Sequence, residues 1–243
     1  MTTLRAAIAD IRKAQAHTNK PLAVIVAGHN GSGKSTMWRQ TLADTLHIPL
    51  INADRMMLSI LPEPDSTGHL VPWAARLRDT DHGWMRVAQQ GVQAFIGQAM
   101  GAGVPFAVET VFSHWQPRPD GTVASKIELI QQLQSAGYFV LLLFVGLATA
   151  QLSISRVQTR VLAGGHAVQE DTLRARFPRT QTAVAAALTV ADASILMDNS
   201  RGLPQAFTVC RVQLGPQALF DLRDRGPAVP RALLSWMDRV SPT

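Results

Sequence analysis

The sequence is poor in cysteine and in lysine. Its 243 residues include one cysteine, Cys210, so neither a disulfide framework nor a cysteine-based zinc site can form within the chain, which fits a reducing cytosol. Only four of its 23 basic residues are lysines, and the net charge is +6. An arginine excess suits phosphate groups, because the guanidinium fork binds phosphate oxygens in pairs, although codon composition alone can also produce it. The basic residues are spread along the chain without an aromatic–basic RNA motif, so we expect no nucleic-acid partner.

Long hydrophobic runs are also missing. The longest apolar stretch, residues 139–150, is too short to span a bilayer and is typical of a buried strand that enters a helix. The N-terminal residues lack the order of charged, apolar and small residues that marks a secretory signal. We therefore expect a cytoplasmic protein without a membrane partner. The 47% hydrophobic and 16% charged residues favour a globular protein with little disorder.

A glycine-rich loop at residues 28–36, the phosphate loop, is the most informative segment. It matches the phosphate-binding pattern G-x-x-x-x-G-K-[ST] between a predicted strand at 22–27 and a predicted helix from Lys34. Backbone N–H groups and the helix N-terminus bind phosphate oxygens in such loops. We expect Lys34 to reach the β- and γ-phosphates and the Ser35 hydroxyl to bind Mg²⁺; the alternative is a turn that binds nothing. The expected nucleotide contacts here are Gly28, Asn30, Gly31, Ser32, Gly33, Lys34, Ser35 and Thr36.

Predicted strands alternate with predicted helices, which is typical of an α/β protein. The strands are expected at residues 22–27, 48–52, 105–109, 138–145, 193–197 and 207–212. We expect a mainly parallel sheet of five to six strands with helices on both faces, as in P-loop NTPases of the kinase type, and an arginine-rich lid. One domain is expected over residues 1–243. Within it we expect an N-terminal helix in 1–20, a lid region at 153–180 and a C-terminal elaboration at 201–243.

Two carboxylates follow strands of this predicted sheet. Asp54 comes after the strand at 48–52, and Glu109 ends the strand at 105–109. Because the carboxyl ends of parallel strands meet at one edge, both should face the bound phosphates. We assign Asp54 as the general base for an acceptor hydroxyl, and Glu109, with Ser35, to Mg²⁺ or its water, or to the acceptor. Two alternatives stay open: Asp54 as a helix N-cap, and Glu109 as a surface charge at a strand end.

The lid region carries five arginines around Gly164, Gly165 and His166. They are Arg156, Arg160, Arg174, Arg176 and Arg179. Arginines beside a glycine hinge favour a mobile lid that closes over the γ-phosphate, excludes water and stabilises the transition state. The alternative is solvated arginines paired with acidic neighbours, which we expect for one or two of the five and first for Arg174. His166 has no second histidine at ligand spacing, so zinc is not expected.

The segment Asp198-Asn199-Ser200 follows the predicted strand at 193–197. It is either a turn near the adenine ring, with Asn199 as a nucleotide contact, or the end of a Walker B-type strand. We favour the turn, because Glu109 already provides an acidic group on an earlier strand. The guanine-reading pattern Asn-Lys-x-Asp is not matched, since residues 19–22 depart from it at the last position. ATP is therefore the expected donor.

Six segments together resemble the zeta-toxin family of phosphate-loop kinases. They are GHNGSGKST (28–36), INADR (51–55), AVETVFSH (107–114), SISRVQTRVLAGGH (153–166), RARFPR (174–179) and DNS (198–200). The resemblance implies a kinase that uses ATP and Mg²⁺ on a small-molecule acceptor. In the best-understood members the acceptor is a sugar hydroxyl of UDP-N-acetylglucosamine. Many members are the toxin of a toxin–antitoxin pair, so the resemblance also implies a possible antitoxin partner.

The matched segments also imply the roles of individual residues. Asp54 matches the catalytic base, and Lys34 and Ser35 match the ligands of ATP and Mg²⁺. Arg160 and Arg176 are the best matches to the lid arginines, and with Lys34 and Asp54 they are the predicted catalytic residues. The predicted substrate contacts are Glu109, Thr110, Ser113 and Lys126.

Two segments depart from the family pattern, and both bear on the acceptor. Residues 115–124 resemble an insertion that lengthens a loop near the acceptor, and residues 61–81, rich in Pro, Gly and charge, match no family segment. A kinase for another metabolite, such as a sugar, nucleoside or dinucleotide, would share every motif above. The other alternative is a nucleotide-driven switch or ATPase that acts on a macromolecular partner. It would carry adjacent Walker B acids and an arginine finger at an interface, neither of which the sequence indicates.

Overall fold

The computed structural model of the chain describes residues 2–242 and is built around one sheet. Its strands are β1 Leu22–Gly28, β2 Leu50–Ile51, β3 Phe106–Thr110, β4 Trp115–Pro117, β5 Val123–Ser125, β6 Phe139–Gly146, β7 Ala193–Asp198, β8 Thr208–Leu214 and β9 Gln217–Asp221. Seven of them form the central sheet in the order β2-β3-β1-β6-β7-β8-β9, while β4 and β5 pair as a separate hairpin. The first five strands of this order are parallel, and β8 and β9 extend one edge in antiparallel fashion.

Helices fill most of the connections between these strands. They are α1 Leu4–Ala16, α2 Lys34–Met37, α3 Ala43–Leu46, α4 Ala53–Leu58, α5 Pro72–Thr80, α6 His82–Ala102, α7 Ile127–Ser135, α8 Ala150–Leu162, α9 Glu170–Ala187 and α10 Arg231–Val240. A π-helical stretch, Trp38–Leu42, joins α2 to α3, and 3₁₀ helices lie at Leu203–Gln205 and Leu222–Ala228. The mainly parallel α/β fold predicted from the alternation of strands and helices is confirmed.

The sheet has one strand more than the upper end of the expected range. The additional strand is β9, which lies in the C-terminal elaboration beyond the last strand expected at 207–212. Residues 217–219 of β9 are exposed, so the strand lacks the apolar run that marks the central strands. The turn before it contains Gly215 with φ +52°, a left-handed conformation that favours glycine and that returns the chain against β8. Residues 115–124, expected as a lengthened loop, instead form most of the antiparallel β4–β5 hairpin.

Complete burial of the central strands explains their continuous apolar runs. Every residue of β1 and β6 is buried, because helices cover both faces of the sheet. Alternate β1 side chains enter two different cores: Ile25 lies in the core that also contains Trp236 of α10, and Val24 in the core that also contains Ile8 of α1. Burying this much aliphatic surface on both faces fixes the central strands firmly against one another.

Parallel register brings three strand ends to one edge of the sheet. Ala27 of β1 pairs with Thr110 of β3, and Gly28 pairs with Val145 of β6. Gly146, next along β6, pairs with Asp198 of β7. The phosphate loop, Glu109-Thr110 and Asp198-Asn199 therefore lie along the same edge, which is where parallel sheets place their ligands.

Candidate active site

Glycines of the phosphate loop occupy positions that no larger residue fits. A Cβ atom on Gly28 would lie 2.4 Å from the Val145 carbonyl oxygen, so β6 crowds the loop from one side. Gly31 and Gly33 have φ values of +70° and +91°, which disfavour any side chain. A Cβ atom on Gly33 would also lie 2.8 Å from Asn199 Nδ2. The loop is thus packed tightly between the neighbouring strand ends, with its backbone free to face a phosphate.

Lys34 lies buried at the centre of the loop. Its side chain is 8% exposed, and its Nζ donates to the carbonyls of Gly28 and His29 at 3.1 and 2.9 Å. Burial lowers the pKa of this ammonium, and Arg160 lowers it further, whereas Glu109 and Asp54 act in the opposite direction. A desolvated cation flanked by carboxylates is ready to bind an incoming polyanion.

Ser35 and Glu109 meet in the way that the strand-end argument predicts. The Ser35 hydroxyl lies 2.9 Å from both carboxylate oxygens of Glu109, and the two residues are 74 positions apart in sequence. A hydroxyl and a carboxylate oxygen are ligands that suit Mg²⁺, which also binds phosphates and keeps several waters. In residues 2–242 no group of three or more His, Cys, Asp or Glu side chains could hold a metal ion. A magnesium site here would rely on Ser35, Glu109 and the nucleotide itself.

Asp54 is exposed and faces the cationic groups of the site. It lies in the first turn of α4, but the N-cap is Asn52, whose Oδ1 accepts from the Arg55 N–H at 3.1 Å. The alternative that Asp54 serves as the helix cap is therefore wrong. Burial lowers the pKa of both Lys34 and Arg176, and the charge of Asp54 opposes this shift in each. With no hydrogen bond or ion pair to any residue in 2–242, its carboxylate is available to a substrate.

The lid arginines divide into two groups. Burial lowers the pKa of half-buried Arg176, and Arg179 adds to this, while Asp54 opposes it. Arg160 lies near enough to Lys34 to lower its pKa, and its Nη2 donates to the His166 carbonyl at 2.8 Å. Arg174 instead points to solvent and pairs with Glu170 at 2.6 Å, as its solvated alternative predicts. The structure thus brings Arg160 and Arg176 to the site and leaves Arg174 out.

Asn199 supports the phosphate loop from the side of β7. Its Nδ2 donates to the Ser32 carbonyl at 2.8 Å, and the residue is buried. Asp198 is paired with Arg201 at 3.1 Å, so its carboxylate is engaged away from Ser35, which argues against the Walker B alternative. The adenine contact of Asn199 stays a prediction.

The predicted substrate contacts lie along the end of β3 and beyond the β4–β5 hairpin. Thr110 ends β3, and its Oγ1 accepts from the Phe112 N–H at 3.4 Å; half-buried Ser113 follows. Lys126 precedes α7, and burial lowers its pKa. In residues 2–242 nothing accepts a hydrogen bond from this ammonium, so it can bind an anionic group of a substrate.

His29 was not singled out by the sequence, yet it joins the loop to the lid. Its ring stacks on Phe177 of α9 at 4.0 Å and packs edge-on against Phe144 at 5.6 Å. Burial, reinforced by Lys34, lowers the pKa of His29 to about 3, so the ring is neutral. Ser153 of α8 makes a second connection, because its hydroxyl donates to the Asn30 carbonyl at 2.7 Å. Both residues fall at positions where the loop and lid patterns accept many residue types, so no sequence signal marks them.

Comparison with known proteins places this site in a family. The model of the family described as zeta toxin matches residues 5–201 of the chain. The chain belongs to the zeta toxin family. Family membership, the fold and the phosphate loop make this zeta toxin family protein an ATP-dependent kinase, a phosphotransferase that binds a nucleotide. An uncharacterized protein of Haemophilus influenzae is 27% identical over 155 residues, which cover 64% of this chain and 91% of that protein.

Two solved systems share the fold at low identity. A chain from the PezAT chromosomal toxin–antitoxin system of Streptococcus pneumoniae has a TM-score of 0.53 at 12% identity, covering 99% of this chain and 89% of that one. Structures of the AvrRxo1-ORF1:AvrRxo1-ORF2 complex with sulphate ions and with ATP each have a TM-score of 0.60 at 13% identity, covering 98% of this chain and 70% and 69% of theirs. Among residues 2–242 no helix is long and apolar enough to cross a membrane.

Proposed function

We propose that this zeta toxin family protein transfers the γ-phosphoryl group of ATP to a hydroxyl of a small molecule. The observation that carries the proposal is the grouping of one exposed carboxylate, Asp54, with a buried phosphate-loop lysine and a lid arginine. Burial lowers the pKa of Lys34 and of Arg176, and the charge of Asp54 opposes this shift in both, so Asp54 interacts electrostatically with both cations. A base beside two phosphate-binding cations is the arrangement that phosphoryl transfer to an alcohol requires.

Each group then has a defined role in the transfer. Lys34 and the loop N–H groups bind the β- and γ-phosphates, and Arg160 and Arg176 neutralise the charge of the moving phosphoryl group. Asp54 accepts the proton of the acceptor hydroxyl as its oxygen bonds to phosphorus and the bond to the ADP oxygen breaks. Mg²⁺, held by Ser35 and near Glu109, would offset charge on the β- and γ-phosphates.

For the acceptor we propose a nucleotide sugar, with UDP-N-acetylglucosamine as the first candidate. The resemblance to the family supports it, and so does the half-buried, unpaired ammonium of Lys126 within the described residues, which suits a diphosphate. Thr110 and Ser113 offer hydroxyls at the end of β3 for the sugar. Other sugars, nucleosides and dinucleotides carry the same reactive hydroxyl and are the competing acceptors.

The test is transfer of label from γ-labelled ATP with Mg²⁺ to a panel of UDP-N-acetylglucosamine, UDP-glucose, free sugars, nucleosides and NAD. We expect label on UDP-N-acetylglucosamine, reduced at least about 1,000-fold in Asp54→Asn, which keeps the shape but removes the base. Asp44→Asn, which changes an exposed carboxylate of α3, is the matched control and should transfer normally. Label on another acceptor would change the assigned substrate but leave the proposed phosphoryl transfer in place. Label released only as phosphate would favour a switch that acts on a macromolecule.

An antitoxin is a separate part of the proposal. The structural relatives come from a chromosomal toxin–antitoxin system and from a two-protein complex, which supports an inhibitory protein partner for this chain. If the activity is toxic, induced expression in a bacterial host should stop growth, and Asp54→Asn should restore it. Growth unaffected by the active wild-type enzyme would contradict a toxic role without touching the kinase assignment.

A further inference from the structure

The segment at residues 61–81 reaches across to the turn of the lid. Arg78 of α5 is only 9% exposed, and its Nε and Nη2 donate to the two carboxylate oxygens of Asp79 at 2.8 and 2.9 Å. Its remaining nitrogen, Nη1, donates to the Gly164 carbonyl at 2.7 Å. Arg78 and Asp79, here called the α5 clamp, thus join α5 to the lid turn at residues 163–166. No motif of the phosphate loop or the strand ends includes them.

The clamp continues as a chain of polar contacts to Arg160. Asp79 Oδ1 lies 2.8 Å from His166 Nδ1, and beside this carboxylate the ring N–H is the donor. The carbonyl of the same His166 accepts from Arg160 Nη2 at 2.8 Å. Burial favours the neutral form of Asp79, yet hydrogen bonds from Arg78 and His166 hold its pKa below the usual range. The carboxylate is therefore charged at neutral pH, and both of its neighbours are held by charge-assisted bonds.

The two glycines of the lid turn allow it to pack closely against the 61–81 segment and against Arg160. A Cβ atom on Gly164 would lie 2.0 Å from the Gly68 carbonyl oxygen, so the lid turn is pressed against the 61–81 segment. A Cβ atom on Gly165 would lie 2.5 Å from Arg160 Cγ, so the arginine side chain lies directly over this glycine. The glycine pair therefore gives two close approaches, one toward the clamp segment and one toward Arg160.

We propose that Arg78 and Asp79 are positioning residues that hold the lid turn so that Arg160 faces the phosphates. Arg160, near the C-terminal end of α8, is itself exposed, and its long flexible side chain loses rotamer entropy when it is placed. A turn fixed beforehand by the clamp reduces that loss at the moment of transfer. This gives residues 61–81 a role in catalysis without contact with the substrate. The inference rests on the proposed phosphoryl transfer.

A double-mutant cycle tests whether the clamp acts through Arg160. Asp79→Asn should lower kcat for transfer from γ-labelled ATP about tenfold and change KM for ATP less than about twofold, because it disorders a transition-state contact. In an Arg160→Gln background the same substitution should have almost no further effect, since the group that it positions is gone. Additive losses would overturn the proposal. Glu170→Gln, which removes an exposed ion pair of the same lid, is the matched control and should retain wild-type kcat.

Hydrogen exchange of the lid turn provides a readout that does not depend on activity. Asp79→Asn should speed exchange of the Gly165 amide, which bonds to the Arg160 carbonyl at 2.9 Å, with little change in the amides of β1. Unchanged exchange would overturn the clamp even if kcat fell. Should Asp79→Asn fold poorly, His166→Ala removes the ring that contacts Asp79 and takes its place in both measurements. If the wild type transfers no phosphoryl group, the proposed function fails, and exchange alone decides whether the clamp orders the turn.

Discussion

The phosphate loop and the lid turn both combine glycines with a buried cation, but they are held in different ways. Lys34 bonds to carbonyls five and six residues away, between strands that are wholly buried. Arg78 bonds to a carbonyl 86 residues away, on a turn outside the sheet. The loop is thus fixed by local backbone and by the cores, whereas the lid turn depends on a few polar side chains. Substitutions in the loop should act on chemistry or on the whole fold, and those in the lid should act locally.

Removing the loop cation should give the largest effect on activity with little effect on the fold. Lys34→Met should lower kcat/KM for transfer from γ-labelled ATP at least about 1,000-fold, because the charge that binds the γ-phosphate is lost. Burial already disfavours this ammonium, as its lowered pKa shows, so relief of desolvation offsets the two lost hydrogen bonds. We expect Tm to stay within about 3 °C. Lys20→Met on the surface is the control, and undiminished transfer by Lys34→Met would contradict the role of the loop.

Replacing one glycine of each region by alanine should distinguish a loss of stability of the whole fold from a local loss of activity. In Gly28→Ala the new Cβ meets the Val145 carbonyl oxygen of β6, which cannot move without its strand, so we expect a loss of about 3 kcal/mol, or roughly 6–12 °C in Tm. In Gly164→Ala the new Cβ meets the Gly68 carbonyl oxygen in a surface turn that can shift. We therefore expect a smaller loss of Tm but at least about a tenfold loss of kcat.

Thermal melts and transfer assays on the same preparations check this pair. Gly97→Ala is the matched control: apart from its chain neighbours and the backbone of α6 itself, no atom lies within 4 Å of its Cβ position, so helix propensity alone should raise stability by about 1 kcal/mol. Equal losses of Tm in Gly28→Ala and Gly164→Ala would show that the lid turn is as firmly built into the fold as the loop.

Acid should weaken the contact at which the two regions meet. Because burial lowers the pKa of His29 to about 3, its contribution to stability is complete above the unfolded value of about 6.5 and is lost as pH falls toward 3. Between pH 8 and pH 5 this amounts to about 2 kcal/mol. His29→Gln should remove that much of the pH dependence measured by denaturant unfolding, whereas exposed His17→Gln should leave it unchanged. An identical pH slope in wild type and His29→Gln would mean that His29 takes up its proton as readily in the folded protein as in the unfolded chain.

The sequence predicts those parts of the molecule that follow from backbone pattern. The loop motif, the buried strands and the rule that parallel strand ends share an edge were enough to bring Glu109 to Ser35 across 74 residues. The same rule predicts that Asp54 faces the phosphates, whereas the prediction for the lid arginines came from the glycine pair at residues 164–165. Strand β9 escaped detection because an exposed edge strand buries few side chains and so carries little hydrophobic pattern.

Contacts that side chains make with segments far away in sequence could not be predicted in this way. The α5 clamp joins residues 86 and 87 positions apart, and no periodicity marks Arg78 or Asp79 as different from other charges in a polar segment. Likewise, the stacking of His29 on Phe177 depends on how α9 lies over the loop, which no local pattern specifies. A glycine pair indicates close approach or a hinge, and only the neighbouring atoms show that Gly164 and Gly165 are packed on two sides.

The smallest effect is expected where the lid carries charge without a contact to the site. Arg174 and Glu170 are both about half exposed, and an ion pair of this kind on a helix surface is worth only about 0.3–0.5 kcal/mol, since water solvates both partners well. Arg174→Gln should therefore change the free energy of unfolding by less than about 0.5 kcal/mol and kcat by less than about twofold, although Arg174 lies only two residues from Arg176. Arg176→Gln, measured beside it, should lose at least about a hundredfold in kcat. Similar losses in both variants would mean that the lid acts through its summed charge rather than through individually placed arginines. The distinction between half-buried Arg176 and solvated Arg174 would then carry no functional meaning.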